Sequence, residues 1–162
     1  MVQTTFTLRR FQPTDLDKVV HVNQVCLPEN YSNYFFMDLY ERFPETFIVA
    51  ELYGEIAGYI MCRIETGLPD FGLLGIARRG HVISVAVLPQ YQRKGIGQAL
   101  LEEAMTRMKT YKAKECYLEV RVSNTSAISL YEKLGFETAK TAHGYYADGE
   151  DAAIMTRKLA SQ

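Results

Sequence analysis

Val85-Ala86-Val87-Leu88-Pro89-Gln90-Tyr91-Gln92-Arg93-Lys94-Gly95-Ile96-Gly97-Gln98 joins a run of small and β-branched residues to an amphipathic repeat. Upstream, His81 to Leu88 has the composition of a buried central strand. Downstream, Ile96, Leu100, Ala104 and Met108 recur every fourth residue and mark a helix running to about Tyr111. Between the two, Gly95 and Gly97 lack a Cβ, so successive backbone N–H groups can converge on one anion. The positive end of the following helix makes the same place a seat for a pyrophosphate, with Arg93 and Lys94 at its rim. A tight strand-to-helix turn with solvated basic residues fits these letters equally well, and Gly-x-Gly alone does not separate the two. A dinucleotide fingerprint would need a third glycine where Leu100 stands, and a P-loop would need Gly-Lys-Ser/Thr, which is absent.

Outward from this stretch the chain alternates strands and helices. Thr5 to Arg10 alternates as a first strand, and Pro13-Thr14 opens a helix to about Leu27, with Thr14 and Asp17 as a weak capping box and Pro28 as its stop. A short aromatic helix is expected within 31–43. Phe47–Leu52 and Glu55–Ile64 read as a hairpin on Tyr53-Gly54, followed by a loop over 67–80. Cys116 to Val122 alternates, with Leu118, Val120 and Val122 on one face and Tyr117, Glu119 and Arg121 on the other. Ala127–Leu134 is a helix closed by Gly135, and strands near 136–141 and 152–158 flank a last loop. The order β-α-α-β-β-β-α-β-α-β-β predicts an α/β (mixed α+β) fold, a central mixed, twisted sheet with helices on both faces.

The 162 residues suit one domain, 1–162, with no repeat or linker to divide it. Eighteen basic against nineteen acidic residues leave a net charge of −1 and no bulk drive toward nucleic acid or an anionic membrane. No apolar run reaches the roughly 18–20 residues of a membrane helix, and Met1-Val2-Gln3-Thr4-Thr5 lacks a signal peptide's features. Cys26, Cys62 and Cys116 are an odd, scattered set that supports neither a zinc site nor a disulfide framework. A cytoplasmic, reduced setting is expected.

Gln92-x-x-Gly95-x-Gly97 after Val85-Ala86-Val87 resembles the acetyl-CoA motif of the GNAT acetyltransferase superfamily. Asn124-Thr125-Ser126-Ala127, then Tyr131-Glu132-Lys133-Leu134-Gly135-Phe136, resembles the family's second element. The resemblance spans nearly the whole chain and implies a single GNAT domain that takes acetyl-CoA as a substrate and requires no metal. It implies that the backbone of Val85, Ala86 and Val87 holds the acetyl-pantetheine, and that Arg93, Lys94, Gly95, Ile96, Gly97 and Gln98 cradle the pyrophosphate. Asn124 would bond the pantetheine arm and Tyr131 would lie near the sulfur, with Glu132 and Lys133 beside it.

Three further stretches are similar to the archaeal enzymes that acetylate protein N-termini and to the catalytic subunit of NatA: Leu27-Pro28-Glu29-Asn30-Tyr31, Tyr117-Leu118-Glu119-Val120-Arg121, and Gly144-Tyr145-Tyr146-Ala147-Asp148-Gly149-Glu150-Asp151-Ala152. That likeness implies a peptide groove flanked by Glu29, Tyr31, Tyr145 and Tyr146. It implies protein N-termini or nascent chains as substrates, with Ser, Ala, Thr or Met first, and a ribosome or auxiliary subunit as a partner. A single defined target, a lysine substrate, a noncatalytic acyl-CoA-binding module and a partner-dependent subunit stay open beside it. Direct transfer needs a neutral amine. An α-amino group titrates near 7.7–8.0 against about 10.4 for lysine, so a histidine near 6.5 is a sufficient base. By the same likeness His81 and Glu119 supply the catalytic groups; on adjacent strands they can share one water. Read alone, His81 equally suits a strand-end hydrogen bond and Glu119 an exposed charge. His21 and His143 have no such setting, and Cys62 and Cys116 read as buried strand thiols rather than nucleophiles.

Overall fold

The computed structural model describes residues 5–71 and 75–160. Its first half holds β1 (Thr7–Arg10), α1 (Leu16–Cys26), α2 (Asn33–Arg42), β2 (Ile48–Leu52), β3 (Glu55–Gly67) and β4 (Ala77–Val87). The second holds α3 (Ile96–Met108), β5 (Glu115–Arg121), α4 (Thr125–Lys133), β6 (Glu137–Ala142) and β7 (Ala152–Lys158). The element order is the one the sequence predicts. One sheet runs β1-β2-β3-β4-β5-β7-β6. It is mixed: β4 pairs with β5 in parallel, whereas β1–β2, β2–β3, β5–β7 and β6–β7 are antiparallel.

Two local expectations are corrected. The expected capping box of Thr14 and Asp17 does not form; a 3-10 turn, Pro13–Asp15, precedes α1, and the Asp15 carboxylate accepts from the Gln12 N–H at 2.8 Å. Proline fixes its own φ and needs no N–H partner, so the cap is Gln12, two residues before Thr14. Asp15 also takes both arms of the Arg9 guanidinium, at 2.8 and 2.9 Å. The loop expected over 67–80 is shorter, because β4 begins at Ala77 and Arg79 pairs with Glu115 across the parallel ladder. Residues 72–74 of that loop lie outside the described residues.

The described chain divides into two compact units, Met1–Arg63 with Val82–Thr110, and Ile64–His81 with Tyr111–Gln162. In the first, α1 and α2 close over Val49, Tyr59 and Met61 of β2 and β3, with Phe11 stacked on Phe47 at 4.0 Å. Ser32 caps α2 by accepting from the Phe35 N–H at 3.2 Å. The buried stripe of α3, which includes Ile96, Leu100, Leu101 and Met108, stands apart from that cluster and packs against β2 from its other face. Large buried side chains such as Phe36 carry the α1–α2 layer; truncating one to Ala costs about 3–5 kcal/mol. Gly58 matters for a different reason: a Cβ there would stand 2.7 Å from the Ala86 carbonyl oxygen, so only glycine lets β3 approach the end of β4.

In the second unit β5 lies between β4 and β7, with Tyr117 opposite His81 on one side and Thr156 on the other. Glu115 is fully buried and accepts from Arg79 Nε at 2.5 Å. Asp70 joins them, accepting from Arg79 at 2.7 Å and from the Thr156 hydroxyl at 2.7 Å, while its own N–H donates to Glu115 at 3.1 Å. A charge that deep is tolerated because it is paired and hydrogen-bonded.

Candidate functional site

Side chains alternate along a strand, so Arg79 and His81 of β4 and Glu115, Tyr117 and Glu119 of β5 rise from one face of the ladder. There the sequence's two catalytic candidates meet. His81 Nε2 lies 2.7 Å from a Glu119 carboxylate oxygen. That is a direct contact: their strands are neighbours and the side chains lean together. On the opposite ring nitrogen, His81 Nδ1 lies 2.8 Å from Glu65 Oε2 and 3.1 Å from the Tyr117 hydroxyl. Tyr117 donates to the other Glu65 oxygen. Burial and that bond to Glu65 push the phenol well above its ordinary range, so it stays a protonated donor. Its ring stacks on His81 at 4.1 Å and 15°, and the Arg79 guanidinium lies 4.1 Å from the same ring. Two groups cannot fill the same space over one face, so Arg79 and His81 sandwich the ring.

Sequence reasoning missed Glu65 and Tyr117. Tyr117 was legible, since its alternation with Glu119 puts both on one face. Glu65 was not, because it lies sixteen residues before His81, at the far end of a strand that runs beyond its expected limit.

The stretch read as a phosphate seat forms the turn between β4 and α3. Arg93 and Gly95 both adopt the left-handed region, at φ 65° and 82°, and Gly95 starts α3 without a side-chain cap. The first N–H groups of a helix have no partner within it, so 95–98 presents donors with a positive helix end behind them. A Cβ at Gly95 would meet nothing within 4 Å, and one at Gly97 only a Val87 methyl at 3.9 Å, so the space before the loop is open. Arg93 and Lys94 are exposed at its rim, and Gln98 is half-buried. This donor set suits a pyrophosphate. Val85, Ala86 and Val87 close β4, where the Val87 carbonyl accepts from Gln92 Nε2 at 2.9 Å and from the Cys26 thiol at 3.4 Å.

In the second unit Asn124 caps α4, its side-chain oxygen accepting from the Ala127 N–H at 3.3 Å. Its NH2 end can then serve a ligand as a donor. Tyr131 is buried within α4 and burial pushes its phenol up to about 12, while Glu132 and Lys133 are exposed. Burial likewise takes the Cys116 thiol up to about 12, the opposite of what a nucleophile needs. Among the described residues no group of three or more His, Cys, Asp or Glu side chains is arranged to hold a metal ion.

The turn carrying Glu29 is built from beneath. Asn23 is fully buried; its amide donates to the Glu29 carbonyl at 3.0 Å and to the Tyr59 hydroxyl at 3.1 Å, and Tyr59 meets Ser84 at 2.7 Å. Tyr31 stacks on Phe35 at 4.7 Å and its hydroxyl donates to the Ile83 carbonyl of β4 at 3.5 Å. In the other unit, Tyr146 lies under the Arg121 guanidinium at 4.1 Å and meets Tyr145 edge-on at 5.0 Å. Arg121 also donates to Asp148 and Glu150, each at 2.9 Å. His143 pairs with Asp151 at 3.1 Å within the same loop, and His21 is exposed on α1.

Residues 16–136 match the acetyltransferase (GNAT) family model. An N-alpha-acetyltransferase of Saccharolobus solfataricus is 50% identical over 156 residues, which cover 95% of this chain and 93% of the relative. Chaetomium thermophilum Naa20, solved in complex with a bisubstrate analogue, is 32% identical at a TM-score of 0.82, covering 94% of this chain and 86% of that one. Arabidopsis thaliana Naa50, solved with the bisubstrate analogue CoA-Ac-MVNAL, is 26% identical at a TM-score of 0.79 over 94% of this chain and 97% of that one. The chain therefore belongs to the acetyltransferase (GNAT) family and is an acetyl-CoA-dependent member of its N-alpha-acetyltransferases.

Proposed function

We propose that this enzyme moves the acetyl group of acetyl-CoA directly onto the α-amino group of protein N-termini, favouring Ser, Ala, Thr or Met first residues. The contact that carries the reading is His81 Nε2 against Glu119; an α-amine of pKa about 8 needs only a modest base. The pair takes the ammonium proton. The amine lone pair then forms the N–C bond while the C–S bond breaks and the sulfur leaves as the CoA thiolate, and the second N–H proton leaves to solvent. Tyr131 keeps its proton at neutral pH and so suits a hydrogen bond to the departing sulfur. By family likeness residues 93–98 serve the pyrophosphate and the backbone of 85–87 the pantetheine, and Asn124, Glu132 and Lys133 serve the same cofactor by that likeness alone. Glu29, Tyr31, Tyr145 and Tyr146 line the peptide's path, since a tyrosine ring covers apolar side chains while its hydroxyl bonds backbone.

The test is acetyl-CoA with a peptide panel that varies residue one, each peptide carrying a free or a blocked α-amine. Acetylation of the free set alone is expected. Labelling of the blocked, lysine-containing set would overturn the α-amine reading.

A further inference from the structure

Each nitrogen of the His81 ring faces a carboxylate, and the two sides are not equivalent. At Nδ1 both neighbours are acceptors: Glu65 Oε2 at 2.8 Å, and the Tyr117 oxygen at 3.1 Å, whose one hydroxyl hydrogen is given to Glu65. Nδ1 must therefore carry a hydrogen. At Nε2 stands Glu119 at 2.7 Å, a contact that holds one further proton. With that proton bound, the trio is an imidazolium between two carboxylates, formally −1. Once it has left, Nε2 bears the lone pair.

We propose that Glu65, with Tyr117, is the positioning residue that fixes the His81 tautomer, so that Nε2 is the nitrogen that accepts the substrate's proton. This rests on the reading of His81 and Glu119 as the base. In the step itself the ammonium N–H bond breaks and its proton passes through the Glu119 carboxylate, so that an Nε2–H bond forms, donating to Glu119, while Nδ1–H stays on Glu65. A carboxylate that orients a histidine through its far nitrogen does the same in the hydrolase triads, where the amide replacement leaves the wrong tautomer. Arg79, pressed on the Tyr117 ring and held by Glu115 and Asp70, keeps the phenol in place.

Glu65→Gln separates positioning from packing, because the amide keeps the carboxylate's shape and still accepts from Tyr117. Its NH2 then donates to Nδ1, which pushes the ring hydrogen onto Nε2. The expected result is a kcat lower by about 10²–10⁴-fold, with the KM values for peptide and acetyl-CoA within about threefold of wild type. Two-bond 1H–15N correlations of His81 should show Nδ1–H in wild type and Nε2–H in the variant, at a pH where the ring is neutral. Retention of Nδ1–H with wild-type kcat, or a loss confined to KM, overturns the proposal. Should Glu65→Gln not fold, Glu65→Ala with added formate supplies the second reading. Restoration of kcat by formate is expected, and no restoration counts against the proposal. His81→Ala is the control: wild-type kcat there sinks the base reading, while the tautomer measurement still judges Glu65.

Discussion

His81 is 7% exposed, and its ring has a carboxylate at each end. Groups this close act as a unit. Either His81→Ala or Glu119→Gln should lower kcat by about 10²–10⁴-fold while acetyl-CoA binding, read by calorimetry, stays within a few-fold. The double variant should be little worse than the poorer single one; multiplicative losses would show that the two act separately. Glu29 sits on a turn whose backbone is bolted to Asn23, so replacing its side chain should leave the turn in place. Glu29→Val should move preference toward larger apolar first residues by about 1–3 kcal/mol in relative kcat/KM, and an unchanged ranking across the panel would make Glu29 a mere surface charge. At this scale family likeness points to His81 and Glu119, and strand alternation only puts Tyr117 on the face of Glu119 without marking it as a site residue. The sequence hid Glu65, whose role exists only through a contact between strands.

At the scale of elements, the strand–loop–helix unit from Val85 to Gln98 was legible because glycine and periodicity are local signals. Gly97→Asp tests it cleanly, since the new Cβ would meet only a methyl at 3.9 Å and the fold should survive. The added carboxylate faces a helix N-terminus meant for phosphate, so acetyl-CoA affinity should fall by more than about tenfold; unchanged affinity in the folded variant would show that the loop holds no phosphate. The extent of β4 was less legible, because Ala77 to Gly80 becomes strand through Arg79 and Glu115, partners thirty-six residues apart. The last loop makes a pH prediction. Asp148, Glu150 and Asp151 are held below their ordinary values, first by backbone or Ser123 donors and then by Arg121 or His143. Their contribution is present above the unfolded values of 3.8 and 4.5 and is lost as pH falls through the lower folded ones. Backbone amide exchange in 143–151 should therefore accelerate below about pH 4 ahead of β5 and β7; simultaneous acceleration would refute a local origin.

For the whole molecule, the buried ion network at Glu115 was invisible in sequence, where the residue reads as an ordinary strand charge. Removing one partner of such a network leaves the others desolvated and unpaired. Glu115→Ala should cost about 3–5 kcal/mol, and at about 2–4 °C per kcal/mol for a chain of this size the Tm should fall by roughly 6–20 °C in calorimetry. A shift under about 3 °C would mean that water replaces the lost carboxylate. The burial of the cysteines gives each compact unit its own clock. Cys62, in the first unit, is 1% exposed, and Cys116, in the second, is 0% exposed, while Cys26 is half-open. A pulse of thiol reagent should therefore tag one site on the native protein and reach the other two only as their units open. Equal tagging rates at Cys62 and Cys116 would report one cooperative melting event, and unequal rates would name the unit that yields first.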